Sequence, residues 1–129
     1  MIIDIHTRIG RHPIHEFEQD AETLLRIMEE NEIAKSFLLP FPTMKVKENN
    51  DLIVKAVKES PDRLVGFAGI NPADNGAQDE LDRAISLGLK GFMLDPEFHK
   101  TSFRRISQVE ALMVSCVDYG MPVLINTEN

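Results

Sequence analysis

The sequence predicts an α/β fold: one domain over residues 1–129, built from repeating strand–helix units. Three observations carry this prediction. Five short apolar runs recur at intervals of about thirty residues, the length of a strand plus its crossover helix. The runs are continuous rather than alternating, as strands of a parallel sheet covered on both faces tend to be. The segments between them place apolar residues at helical spacing.

In order along the chain, Met1–Ile5 is the first run. A stripe of Phe17, Ala21, Leu24, Leu25 and Met28 predicts the first helix, with no clear N-cap before it. Ser36–Leu39 is the second run. The second helix carries Leu52, Ile53, Ala56 and Val57, opened by Asn49 or Asn50 and stopped before Pro61. Leu64–Ile70 is the third run, followed by a helix on Leu81, Ala84 and Ile85 that ends at Gly88. Gly91–Leu94 is the fourth. The last helix uses Phe103, Ile106, Val109, Met113, Cys116 and Val117, with Thr101 or Ser102 as cap and Gly120 as stop. Pro122–Ile125 is the fifth run. Right-handed crossovers join strands spaced in this way into a parallel sheet.

Two architectures accept that order. A flavodoxin-like open sheet uses five strands and is complete at about this length. A (β/α)₈ barrel needs about 250 residues, so this chain would be a partial barrel that stops after its fifth strand. Periodicity alone does not choose between them. The lack of a covering helix after the fifth run favours the partial barrel.

Composition excludes several function classes. Fourteen basic against twenty-one acidic residues give a net charge of −7, which disfavours nucleic acid and anionic membrane surfaces. Asp4 and His6 interrupt the apolar start, so nothing resembles a signal peptide, and no apolar run approaches a membrane span. The single cysteine, Cys116, suits a reducing compartment, and the cytoplasm is the expected location. It falls on the buried stripe of the last helix and reads as core rather than nucleophile. The sequence has no Gly-rich phosphate fingerprint, Walker A sequence or Gly-x-Ser-x-Gly elbow.

In both architectures function sits at the carboxyl ends of the strands. Those ends read Asp4-Ile5-His6-Thr7-Arg8, Leu39-Pro40-Phe41-Pro42, Gly69-Ile70-Asn71-Pro72, Leu94-Asp95-Pro96 and Leu124-Ile125-Asn126-Thr127-Glu128. Four passages resemble the metal-dependent amidohydrolase superfamily, in its aminocarboxymuconate semialdehyde decarboxylase-like branch. Ile3–Gly10 resembles the family's Asp-x-His-x-His opening strand. Ser60–Pro72 is similar to its third strand and approach, Leu87–Phe92 to the exit of its third helix, and Tyr119–Thr127 to its fifth strand. The resemblance spans essentially the whole chain but only the N-terminal part of the family's domain. It implies a TIM-barrel architecture and, for the family, a zinc or other divalent metal serving hydrolysis or decarboxylation.

The ligand positions that the resemblance implies are largely substituted. His6 matches the first strand-one ligand. Arg8 stands at the second, a permanent cation with no lone pair to give a metal. Asn126 stands at the strand-five position, where imidazole is expected, and its amide is a poor zinc ligand. The expectation is therefore a shortened or diverged relative with no cofactor of its own, acting as a binding or assembly domain or as part of a larger unit. The alternative is a metal-dependent hydrolase or decarboxylase completed by oligomerisation or by a C-terminal half.

Individual residues admit plainer readings. His6 is a residual metal ligand or an inherited strand-end histidine. Arg8 either takes a carboxylate or phosphate from a small molecule or pairs with Asp4 or Asp95, the second being the expectation. Asp95 either joins Asp4 and His6 in a hard-cation site or simply opens an Asp-Pro turn, which is expected. His12 and His15 read as a solvated loop, with His99 the one further imidazole left to join them. A partial barrel also leaves its inner sheet face and its edges uncovered. Homo-oligomerisation through that face or edge, or completion by a second polypeptide, is therefore expected.

Overall fold

The computed structural model describes residues 1–102, 104 and 106–127, without the side chains of 106 and 108. The main sheet holds β1 (Ile2–Thr7), β4 (Ile33–Leu38), β5 (Leu64–Gly69), β6 (Gly91–Leu94) and β7 (Val123–Ile125), in that spatial order. Every neighbouring pair is parallel. Consecutive order decides between the two architectures, because a flavodoxin-like sheet places its second strand outside the first. The five strands form the curled half of a TIM barrel. The sequence runs find these strands with shifted ends: β1 continues through His6 and Thr7, and β4 begins three residues early, at Ile33.

A two-stranded antiparallel ribbon, β2 (Gly10–Arg11) with β3 (Glu18–Gln19), was not anticipated. It encloses the loop that carries His12 and His15, closed by a hydrogen bond from the His12 N–H to the Phe17 carbonyl (2.9 Å).

Four helices cross between the main strands: α1 (Ala21–Glu30), α2 (Val46–Glu59), α3 (Ala77–Ser86) and α4 (Ile106–Tyr119). Asp20 caps α1 by accepting the Thr23 N–H at 2.7 Å, so the first helix does have an N-cap. Phe17 lies outside that helix and packs edge-on against Phe41. Neither Asn49 nor Asn50 caps α2, which begins earlier, at Val46. Both asparagines are drawn into tertiary hydrogen bonds instead, and α2 stops before Pro61 as expected. Gly88 and Gly120 follow α3 and α4 with φ of +98° and +66°, the left-handed turn that glycine takes without a Cβ penalty. On α4, Val109 and Cys116 are buried and Leu112 joins them, while Val117 is 78% exposed and faces away from the stripe. Phe103 lies outside the described residues, as does the Ile106 side chain.

All four helices pack on one face of the sheet. Leu24, Met28, Ile53, Leu81, Ala84, Leu112 and Cys116 join Leu38, Leu64, Ala68, Ile70, Phe92 and Leu94 in one core. The alternate strand residues make a smaller second cluster on the other face: Leu39, Phe67 and Met93, flanked by Phe37 and Val65. Gly91 belongs to this inner side, where an added Cβ would lie 2.6 Å from the Phe67 ring. No helix among the described residues is long and apolar enough to cross a membrane.

Candidate functional site

The carboxyl ends of the five main strands meet along one rim of the half-barrel; His6, Arg8, Asp95 and Asn126 sit at it, and Asp4 lies further back inside β1. The end of β1 is tied to β4 by Leu39 N–H to Thr7 O (2.8 Å) and by Thr7 Oγ1 to Phe37 O (2.7 Å). The β1–β4 register slips between Asp4 and Thr7. Within that irregular stretch, the Asp4 carboxylate turns back to accept the His6 N–H at 3.0 Å, and His6 is exposed.

Arg8 pairs with neither Asp4 nor Asp95, which corrects the expectation from the sequence. The Asp4 carboxylate is committed to His6, and Asp95 is committed elsewhere. The Arg8 guanidinium lies instead over the Phe41 ring, 5.4 Å from its centroid. Phe41 is buried just past β4, and its N–H donates to Asn49 Oδ1 at 3.0 Å. The Arg8 carbonyl accepts from Gln19 Nε2 at 2.9 Å, which anchors its backbone to the ribbon. Its Nε is buried and has no hydrogen-bond partner among the described residues.

Asp95 is buried at the end of β6 and accepts a hydrogen bond from Asn126 Nδ2 at 2.8 Å. The Asn126 N–H bonds the Leu94 carbonyl (2.9 Å), which extends the β6–β7 ladder by one step. The Asp95 carbonyl accepts the His99 N–H at 3.0 Å, closing the turn through Pro96. Asp95 and Asn126 are therefore partners, a contact their separation in sequence did not announce.

The three loop histidines do not converge. His12 Nδ1 accepts from the Ile14 and His15 N–H groups, at 3.1 and 2.9 Å, so that nitrogen is occupied by the loop itself. His15 is exposed and lies ring to ring with His12 at 4.6 Å. His99 is buried, with Nε2 2.9 Å from the Thr43 carbonyl, where it ties the loop after β6 to the loop after β4.

Beneath the rim lies a polar network that the sequence reading missed. Asn50, fully buried on α2, donates to Gly69 O (3.0 Å) and to Glu80 Oε1 (2.9 Å), and accepts the Gly69 N–H (2.8 Å). Arg83 holds Glu80 through Nε and Nη2 and reaches Asp51 at 2.7 Å. Burial alone would raise the Glu80 carboxyl, but the hydrogen bonds from Arg83 and Asn50 outweigh it and hold that group below its ordinary value. Cys116 is buried in the helix-side core, and burial pushes its thiol up, away from nucleophile behaviour.

A model of the amidohydrolase family matches residues 40–128, most of the chain. The chain belongs to the amidohydrolase family. No curated protein matches it. Among solved structures, this amidohydrolase-family chain is similar to a probable 2-pyrone-4,6-dicarboxylic acid hydrolase from Acinetobacter baumannii, crystallised with citric acid bound. The two are 17% identical with a TM-score of 0.75, and the match covers 98% of this chain and 49% of the other. It is similar to a 2,6-dihydroxybenzoate decarboxylase from Rhizobium at 17% identity and a TM-score of 0.72, over 99% and 50% of the two chains. A 5-carboxyvanillate decarboxylase from Novosphingobium aromaticivorans, with bound manganese, is similar at 14% identity and a TM-score of 0.69, over 97% and 50%. At these identities the likeness is one of fold. The chain spans about half the length of the solved structures it matches.

A metal of the kind the family uses does not fit the side chains of this rim. Arg8 offers no lone pair, and Asn126 turns its amide nitrogen, a donor, to Asp95. Among the described residues, no group of three His, Cys, Asp or Glu side chains is placed to hold a metal ion, Asp4, His6 and Asp95 included. Three protein ligands are the usual minimum for a catalytic zinc.

Proposed function

We propose that this amidohydrolase-family chain is a metal-free binding and assembly module, whose open inner sheet face is covered by another polypeptide, in the simplest case a second copy. The observation that carries the reading is the Asp95–Asn126 hydrogen bond. It closes the strand-five ligand position with an amide donor and satisfies a buried carboxylate without a metal. Arg8 on Phe41 supports it from the strand-one side. The assembly part is supported by apolar residues on strands at both ends of the sheet: Ile3 and Ile5 on β1, the latter 66% exposed, and Leu124 on β7.

Elemental analysis and zinc titration of the purified protein test the metal-free part. Stoichiometric zinc, lost in His6→Ala, would overturn it. Sedimentation velocity at micromolar concentration tests the assembly part, and a monodisperse monomer in the absence of any other polypeptide would overturn completion by a second copy.

One observation favours a second reading. The exposed His6 side chain makes no hydrogen bond within the described residues, so it is available as a first ligand. If a partner or a further segment supplied the remaining ligands, the assembled unit would be a metal-dependent enzyme, a hydrolase or decarboxylase; solved structures of like fold are named as a hydrolase and a decarboxylase. The same zinc titration, repeated on the assembled species, separates the two.

A further inference from the structure

Among the described arginines that make no ion pair, Arg11 and Arg104 are exposed and Arg8 is half-buried. Arg26, Arg63 and Arg83 each pair with a carboxylate, and the protein carries seven net negative charges. Yet none of the ion pairs among the described residues includes Arg8. The side chain is half-buried, its Nε is buried without a hydrogen bond, and one face of its guanidinium is covered by Phe41. Its terminal nitrogens are not among the buried unbonded donors and make no hydrogen bond among the described residues, so they reach solvent. The backbone around it is pinned from both sides, by Gln19 at its own carbonyl and by the Thr7–Leu39 link one residue earlier.

A half-buried guanidinium held in place without a counter-ion is uncompensated by the protein around it. Its two free nitrogens form a planar fork that matches a carboxylate in bidentate geometry. We propose that Arg8 is the anchor of a binding site for a small carboxylate at the carboxyl end of β1. This inference rests on the metal-free reading, because a cation bound beside His6 would repel the guanidinium. A monoanion is favoured over phosphate because one guanidinium balances one charge. The candidate acids of the same sheet, Asp4 on β1 and Asp95 just past β6, bring negative charge and no further cation.

The test is a titration of the ¹⁵N-labelled protein with sodium acetate, sodium chloride and inorganic phosphate at matched ionic strength. It follows the Arg8 Nε–H signal and, as a second reporter, the Phe41 ring protons. Acetate should shift both saturably and chloride should not. Arg8→Lys keeps the charge but loses the fork, and should weaken acetate binding by about fivefold or more. A linear, chloride-like response to acetate, saturation by phosphate alone, or unchanged binding in Arg8→Lys would each overturn the proposal. The wild-type titration decides the matter even if the variant fails to fold. Zinc added to the same sample separates the two readings: binding lost in His6→Ala overturns the metal-free module, whereas silence towards both zinc and acetate overturns the carboxylate site alone.

Discussion

Replacing Asn50 with Ala should destabilise this protein far more than replacing its neighbour Asn49. The Asn50 amide is fully buried and serves both backbone groups of Gly69, at 2.8 Å and 3.0 Å, as well as Glu80. Truncation leaves the buried Gly69 N–H and carbonyl without this partner, at about 1–3 kcal/mol each. Glu80 keeps Arg83, so its loss is small. The expected cost is about 3 kcal/mol, toward the lower part of that sum because Gly69 relaxes. With a urea m-value of about 2 kcal/mol/M for a domain of this size, the unfolding midpoint should fall by about 1.5 M with m unchanged. Asn49→Ala loses one hydrogen bond, from the Phe41 N–H, and should cost about 1 kcal/mol, or about 0.5 M. Urea unfolding followed by circular dichroism at 222 nm reads both. If Asn50→Ala shifts the midpoint no further than Asn49→Ala, the assignment of Asn50 as the tie between α2 and the end of β5 is wrong.

Two further outcomes follow from the same packing. The Glu80 carboxyl is held below its ordinary value, so it contributes stability that is complete above its unfolded value of about 4.3 and is lost as the pH falls through the lower folded value. The urea midpoint of the wild type should therefore drop between about pH 5 and pH 3, and Glu80→Gln should show a shallower drop over that range; parallel curves would refute the linkage. Gly91→Ala should cost about 1–3 kcal/mol, because the added methyl lies 2.6 Å from the Phe67 ring and must displace it on the inner face. Thermal unfolding that matches the wild type would mean that Phe67 is not fixed there.

The strand–helix alternation was legible because each apolar run is long and continuous and each helix has a clear stripe, with Gly88, Gly120 and Pro61 as stops. The choice of barrel over open sheet was not legible from periodicity, since both share one local pattern. It became visible only in the strand order. Asn49 and Asn50 misled for a physical reason: asparagine favours N-caps, but here tertiary hydrogen bonds to Phe41 and Gly69 outcompete capping. Asp20 carried a usable signal, an acid three residues before the Thr23 N–H it caps. The ribbon of β2 and β3 left no trace, because two-residue strands show no period. Asp4 falls inside β1, which runs two residues past the apolar run, but at the rim the sequence placed His6, Arg8, Asp95 and Asn126 at or beside strand ends. It could not tell which faced which, so Asp95 with Asn126 and Arg8 with Phe41 emerged only in three dimensions.

The Asp4 carboxylate on the His6 N–H has a consequence for how the protein ages in solution. An unpaired strand edge is a template on which identical chains stack into fibrils, and each stacked chain needs that row of N–H groups in register. Here one donor in the row is already taken from within, and the register slips at the same place. A strand added there would have to displace Asp4 from the His6 N–H, on a strand otherwise rich in isoleucine. Face-to-face burial of that strand leaves this hydrogen bond intact; edge-to-edge polymerisation must first break it.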